Sequence, residues 1–134
     1  MNNQLFFSHK SDSWSTPGDL YDDLNNEFNF DFDPCPLDDN LNGLITPWRG
    51  NIFINPPYSN IAAFLNKGMV EIQSGNAKKL VYLLPVRTDT KWFHKYIYNK
   101  AEIRFIKGRL KFGDSKNSAP FPSMIVIFKG EMKK

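Results

Sequence analysis

The run Asn51-Ile-Phe-Ile-Asn55 leads straight into Pro56-Pro57, and no other feature of the sequence constrains the fold so tightly. Three consecutive apolar residues, two of them β-branched, read as a buried strand. Two successive prolines fix φ near −65° and remove two backbone donors, so the strand must stop at Asn55. A buried strand of this kind belongs to an open α/β sheet, in which ligands bind just beyond the carboxyl ends of the strands. Asn55-Pro56-Pro57-Tyr58 would stand at such an end.

The flanking sequence supplies matching elements. Thr16-Pro17 reads as an N-cap and first helical residue, and Leu20, Leu24 and Phe28 then form one apolar stripe. Phe28 to Asp33 alternates Phe with Asn or Asp, a period of two that predicts a short strand ending in a carboxylate. Asp38 to Pro47 is polar and loop-like. Asn60 is placed to cap a helix with Ile61, Phe64, Leu65, Met69 and Ile72 inward and Ser74-Gly75 closing it. Lys79 to Pro85 predicts a strand and Thr90 to Tyr98 a helix. Ala101 to Ile106, Leu110 to Phe112 and Met124 to Phe128 predict strands. Alternation first and clustered strands last favour an α/β fold, with a mostly parallel sheet and an antiparallel C-terminal pair.

Residues 1–134 are expected to form a single domain, since 134 residues with 41% hydrophobic side chains suffice for one core. The sole cysteine, Cys35, excludes an internal disulfide. The longest apolar runs, Leu80 to Leu84 and Met124 to Phe128, fall far short of the ~20 residues of a membrane span. Met1-Asn-Asn-Gln4 lacks the basic and apolar regions of a signal peptide, so the expected location is the cytoplasm, away from membranes. Charge is unevenly divided. Residues 1–50 hold nine acids and two bases, residues 51–134 fifteen bases and five acids. A basic segment of that kind attracts polyanions, and it equally suits a solvated lysine-rich surface.

The chemistry of Asn55-Pro56-Pro57-Tyr58 suits one task. An amino group on an aromatic base is a poor nucleophile because its lone pair is delocalised into the ring. Two acceptors on its two hydrogens pull the nitrogen towards tetrahedral geometry and release that pair. The Asn55 side-chain oxygen is one acceptor and the Pro56 carbonyl the second, held by the rigid proline pair before substrate arrives. Tyr58 offers a face for stacking, worth roughly 1–3 kcal/mol. The plainer reading is a strand-ending turn with a packed tyrosine. Glutamine amides, whose nitrogen is likewise delocalised, would also fit the four residues.

A second group would hold a methyl donor. Asp33-Pro34-Cys35-Pro36 follows a predicted strand and leads to Asp38, Asp39 and Asn40. A carboxylate at a strand's end can take the amino group of S-adenosylmethionine, with nearby acids on ribose hydroxyls. Trp14 would cover the adenine ring of the donor or sit near its sulfonium. The same acids also read as ordinary turn formers. Cys35 reads as a packing residue, with no adjacent cation to lower its pKa. His9 and His94 have no metal-ligand partner at a recognisable spacing, so no metal is expected.

Six stretches together resemble the phage-type DNA N-6-adenine methyltransferases, the Dam-like enzymes. They are Trp14-Ser-Thr-Pro17, Phe32-Asp-Pro-Cys35, Asn55-Pro-Pro-Tyr58, Leu84-Pro-Val-Arg-Thr-Asp-Thr-Lys-Trp-Phe-His94, Gly108-Arg-Leu-Lys-Phe112 and Ala119-Pro-Phe-Pro-Ser123. The resemblance implies a compact Rossmann-like fold, S-adenosylmethionine as cofactor, adenine in double-stranded DNA as substrate, and the cytoplasm of a phage-infected or prophage-bearing bacterium as location. Carried over by position, Asn55, Pro56, Pro57 and Tyr58 would be catalytic. Trp14, Thr16, Pro17, Asp33, Pro34, Cys35 and Asn40 would line the cofactor pocket. Arg87, Thr88, Asp89 and Lys91, with Arg109, Lys111, Lys116 and Asn117 from a later loop, would meet DNA. Only fifteen residues separate Asp39 from Asn55, fewer than the family usually has. The strands completing the cofactor side would then be missing or rudimentary, which leaves open a DNA-binding relic without activity. Little chain remains for a separate target-reading domain, so loops or a second copy in a homodimer would serve.

Overall fold

The protein, described here as a computed structural model, is defined over residues 15–36, 42–111 and 119–130. In chain order these form helix α1 (Gly18–Phe28), strand β1 (Gly50–Ile54), helix α2 (Ile61–Gln73) and strands β2 (Ala77–Pro85), β3 (Glu102–Phe105) and β4 (Ser123–Lys129). The strands make one sheet in the order β1-β2-β4-β3. β1 and β2 are parallel, and β4 is antiparallel to both β2 and β3. The three earlier strands therefore share one direction. The sheet is mixed rather than mostly parallel, because β4 returns between its two predecessors and makes an antiparallel pairing with each.

Side chains alternate across the sheet as the period of two dictates. Ile52, Ile54, Leu80, Tyr82, Leu84, Met124 and Val126 face α2, which contributes Ile61, Phe64 and Leu65. Phe53, Val81, Leu83, Ile125 and Ile127 face α1, which contributes Leu24 and Phe28. One helix on each face explains why the strands read as nearly continuous apolar runs. The parallel β1–β2 pair needs a crossover, and α2 supplies it. No helix among the described residues is long and apolar enough to cross a membrane.

Five expectations are revised. Thr16 does not cap α1: the helix begins at Gly18 after Pro17, with no side-chain cap bond. Asn60 precedes α2 without a side-chain cap bond either. The strand expected over 28–33 shrinks to one parallel bridge, Phe32 to Ile52. Phe28 completes the stripe of α1, and Asn29 turns the chain with φ 54°. The Asp31 carboxylate then accepts from the Asn51 N–H at 2.8 Å, where a regular ladder would use a carbonyl. As a result Phe30 and Phe32 go to opposite faces, which a continuous strand could not do. After β2, the expected helix runs over residues 91–97 but is α-helical only at Lys91 and Trp92, continuing as a π-helical turn over Phe93–Ile97. Leu110 and Lys111 form no strand; the Leu110 carbonyl accepts from the Ala119 N–H, and Phe112 lies outside the described residues.

The loop before β1 is anchored by buried groups. The Trp48 indole, fully buried, donates to the Gly43 carbonyl at 2.8 Å and stacks on Phe64. Its backbone N–H donates to Glu71 of α2, which also accepts from Lys67 and Asn76. Burial alone would raise the Glu71 carboxyl, but these three donors outweigh it and hold it below the usual range. Close packing of α2 on β2 depends on Gly68. A Cβ there would overlap the Tyr82 hydroxyl, which donates to the Phe64 carbonyl at 2.7 Å. Gly68→Ala is expected to destabilise the fold by about 1–3 kcal/mol despite its better helix propensity. Because the obstructing atom is the hydroxyl, the cost should shrink in a Tyr82→Phe background. Urea denaturation of the four variants of this double-mutant cycle measures the coupling, and strict additivity would contradict the packing argument.

Candidate active site

Parallel strands end on the same side, so the chain segments that follow Phe32, β1 and β2 are brought to one edge. The segment entering β4 joins them, since Ser123 lies opposite Pro85. That edge collects Asp33 to Pro36, Asn55 to Tyr58, Val86 to Lys91, and Ala119 to Pro122.

Asn55 follows the last residue of β1 and is half-buried. Its side-chain amide donates to the Thr16 hydroxyl at 3.0 Å, across 39 positions of sequence. Pro56 is buried, and Pro57 sits at φ −62° and ψ 141°. The Pro57 carbonyl accepts from the Asn60 N–H at 2.9 Å, closing a short 3-10 turn over Tyr58–Asn60. That carbonyl is thus committed to the chain itself. The Tyr58 ring is half-buried and packs edge-on against Phe121 at 5.3 Å. Burial pushes its hydroxyl well above the usual tyrosine value, while the charge of Arg87 opposes the shift.

Asp33 lies beyond the Phe32 bridge. One carboxylate oxygen accepts from the Cys35 N–H at 2.8 Å, yet burial still raises its pKa. Among the described residues no base forms an ion pair with it. Its charge also reaches the Tyr21 hydroxyl on α1, which burial has already raised. Pro34 is buried with its carbonyl against Gly43, where a Cβ would overlap it. Cys35 packs on the α2 side of the core, and burial pushes its thiol far up, with Asp33 adding to the shift. Pro17 is half-buried at the start of α1 beside Thr16.

The loop after β2 exposes Arg87, Thr88, Asp89 and Lys91. Thr90 caps the turn that follows: its hydroxyl donates to the Arg87 carbonyl at 2.8 Å and accepts from the Phe93 N–H. The His94 ring bonds the Thr88 carbonyl at 2.7 Å and ties the loop to the π-helical turn. Arg109 and Lys111 are exposed on the chain leaving β3. Trp14, Asn40, Lys116 and Asn117 lie outside the described residues. Tyr21, one position off the apolar stripe, escaped sequence reasoning; Phe121 lay within a family-like stretch and His94 was weighed only as a metal ligand, and neither was given a part at this edge. Among the described residues no three metal-ligating side chains converge.

The raised Cys35 thiol keeps little thiolate at pH 8, so it should react with a disulfide reagent at least about tenfold slower than free cysteine. Stopped-flow thiol titration of the folded chain checks this, and reactivity equal to free cysteine would contradict the packing described.

Residues 6–133 match the family model for DNA N-6-adenine-methyltransferase (Dam). The DNA N-6-adenine-methyltransferase of Haemophilus phage HP1 is 32% identical, over 87% of this chain and 78% of that protein. The enzyme of the same name from Escherichia phage T1 is 27% identical over 92% of this chain, which spans only 56% of its length. No solved structure matches the chain at a significant level. A family match across almost the whole sequence places this chain in the Dam family of DNA N-6-adenine-methyltransferases.

Proposed function

We infer that the chain transfers a methyl group from S-adenosylmethionine to the N6 amino group of an adenine extruded from double-stranded DNA. The observation that carries this reading is the rigid turn Asn55 to Tyr58 at the end of β1, on one edge with a half-buried carboxylate and an exposed basic loop. It is supported by the family match and by the two phage relatives. The Rossmann-like reading of the fold is supported by the reversed β4 set into strands that otherwise share one direction.

The donor requires a site for a cation, and Asp33 fits one. A desolvated carboxylate without an ion-pair partner among the described residues gains most from a positive group beside it. When bound, S-adenosylmethionine supplies an electrophilic methyl carbon. Asp33 would hold its amino group, with Pro34, Cys35, Thr16 and Pro17 forming the walls, and Trp14 and Asn40 belong to the same proposed pocket. The acceptor half uses Asn55 and Pro56. The Asn55 oxygen and the Pro56 carbonyl take the two N6 hydrogens, Tyr58 stacks on the extruded base, and Phe121 backs its ring. Extrusion costs a few kcal/mol, which stacking and these hydrogen bonds offset. No general base is required, because the nitrogen becomes acidic once it carries the methyl group. Arg87, Thr88, Asp89 and Lys91, with Arg109, Lys111, Lys116 and Asn117, contact backbone and base edges. A second copy of the chain in a homodimer would extend that contact.

Asn55→Ala is expected to lower kcat for tritiated methyl incorporation into unmethylated DNA by about 10²–10³-fold, with Pro56→Ala weaker but in the same direction. Wild-type rates in both variants would contradict the assigned roles, and preferential labelling of a glutamine-containing protein would reassign the substrate. Cofactor affinity should fall as pH drops through the raised titration range of Asp33, because protonation removes the charge that holds the cation. Calorimetry across pH 4–8 checks it: Asp33→Asn should bind at least about tenfold more weakly and with a flat profile.

A further inference from the structure

We propose that Thr16 is a positioning residue for methyl transfer, its hydroxyl holding the Asn55 carboxamide so that the carbonyl oxygen faces the amino group to be methylated; this rests on the functional reading above. Thr16 does not do what its place before a helix suggests. Its side chain makes no cap bond to α1. Instead its oxygen accepts from the Asn55 side-chain nitrogen at 3.0 Å in a partly buried setting. A bond spanning 39 positions reflects how the two segments are brought together, not local chain geometry.

The consequence follows from the shape of an amide. A carboxamide is planar, with its oxygen on the side opposite its nitrogen. Anchoring the nitrogen fixes the plane and leaves the oxygen facing away from Thr16. The flipped arrangement would set donor against donor at the substrate nitrogen and could not draw out its lone pair. A hydroxyl both accepts and donates, so Thr16 fixes the plane, and the substrate's own N–H groups select the sense. The Asn55 backbone is already set by β1 on one side and Pro56 on the other. Thr16 restrains the remaining freedom, rotation of the side chain. It thereby joins α1, whose beginning carries it, to the reacting centre on β1.

Thr16→Val keeps the shape and removes the hydroxyl, whereas Thr16→Ser keeps the hydroxyl. With Tm monitored in parallel, Thr16→Val should lower kcat on DNA by about tenfold to hundredfold. Its S-adenosylmethionine Kd should rise by less than kcat falls, because valine keeps the pocket wall that Thr16 provides, and Thr16→Ser should retain kcat within about threefold. An unchanged kcat in Thr16→Val would overturn the proposal. So would a Kd raised tenfold with kcat intact at saturating cofactor, which would make Thr16 a cofactor contact only. A second measurement does not depend on activity: solvent exchange of the Asn55 side-chain NH2, followed by 15N NMR. Exchange should be slow in the wild type and in Thr16→Ser and fast in Thr16→Val. Should the wild type transfer no methyl group to DNA, the functional reading fails. The exchange comparison then still decides the tether, which stands if protection is lost in Thr16→Val and falls if it is kept.

Discussion

The parallel register of β1 on β2 is the constraint on which the rest depends. Ile54 lies opposite Tyr82, so β1 ends while β2 runs on to Pro85. Strands that share a direction deliver their following segments to one edge, and Asp33, Asn55 to Tyr58 and Arg87 to Lys91 arrive there by that route. Aliphatic burial supplies the stability. Ile52, Ile54, Leu80 and Val81 are fully buried, and fully burying each such side chain is worth about 1.5–3 kcal/mol. Once the register is fixed, Pro56-Pro57 can only project outward from the sheet, since neither residue can extend the ladder. The rigid turn is a consequence of the core beneath it.

Electrostatics at that edge is divided rather than uniform. Asp33 is desolvated and raised in pKa, while Arg87 and Lys91 stand exposed on the neighbouring loop. A carboxylate inside and cations outside suit two ligands of opposite charge meeting at Tyr58, a cationic donor and a polyanionic acceptor. Salt should therefore weaken the outer contacts far more than the inner one, as screening acts on exposed charge.

The strand ending at Asn55, both flanking helices and the direction of β2 were legible from periodicity and proline placement. What failed shares a cause. Residues 28–33 satisfy two periods at once, and Phe28 is claimed by the helical stripe before the alternation can begin. Thr16 carries the signature of a cap, yet its hydroxyl is taken by a residue 39 positions away, a tertiary bond invisible to local pattern. The π-helical turn at Phe93–Ile97 is hidden for a similar reason. It ends with the Tyr98 N–H on the Phe93 carbonyl at 2.9 Å, a choice made by packing of Phe93 and Ile97 against the core. The four residues Asn55 to Tyr58 were readable because proline geometry is intrinsic, whereas the pairing of Tyr58 with Phe121 needed the fold.

The segment proposed to hold the cofactor poses a problem of rigidity, which is met without further strands among the described residues. Among the described residues the sheet stops at Phe32, a single bridge beside β1, and one bridge cannot hold Asp33 in place. Two other contacts take over the task. Asp31 accepts from the Asn51 N–H while its own N–H reaches the Asn51 carbonyl at 2.7 Å, clamping the segment at its start. At its end Gly43 lies so close to the Pro34 carbonyl that no side chain fits between them. Gly43 is itself fixed by the indole of Trp48, and Trp48 by Glu71 of α2. The carboxylate is therefore braced through a chain of buried groups to the helix on the α2 face. A loop anchored by one tryptophan thus holds a half-buried acid at the edge where the sheet ends.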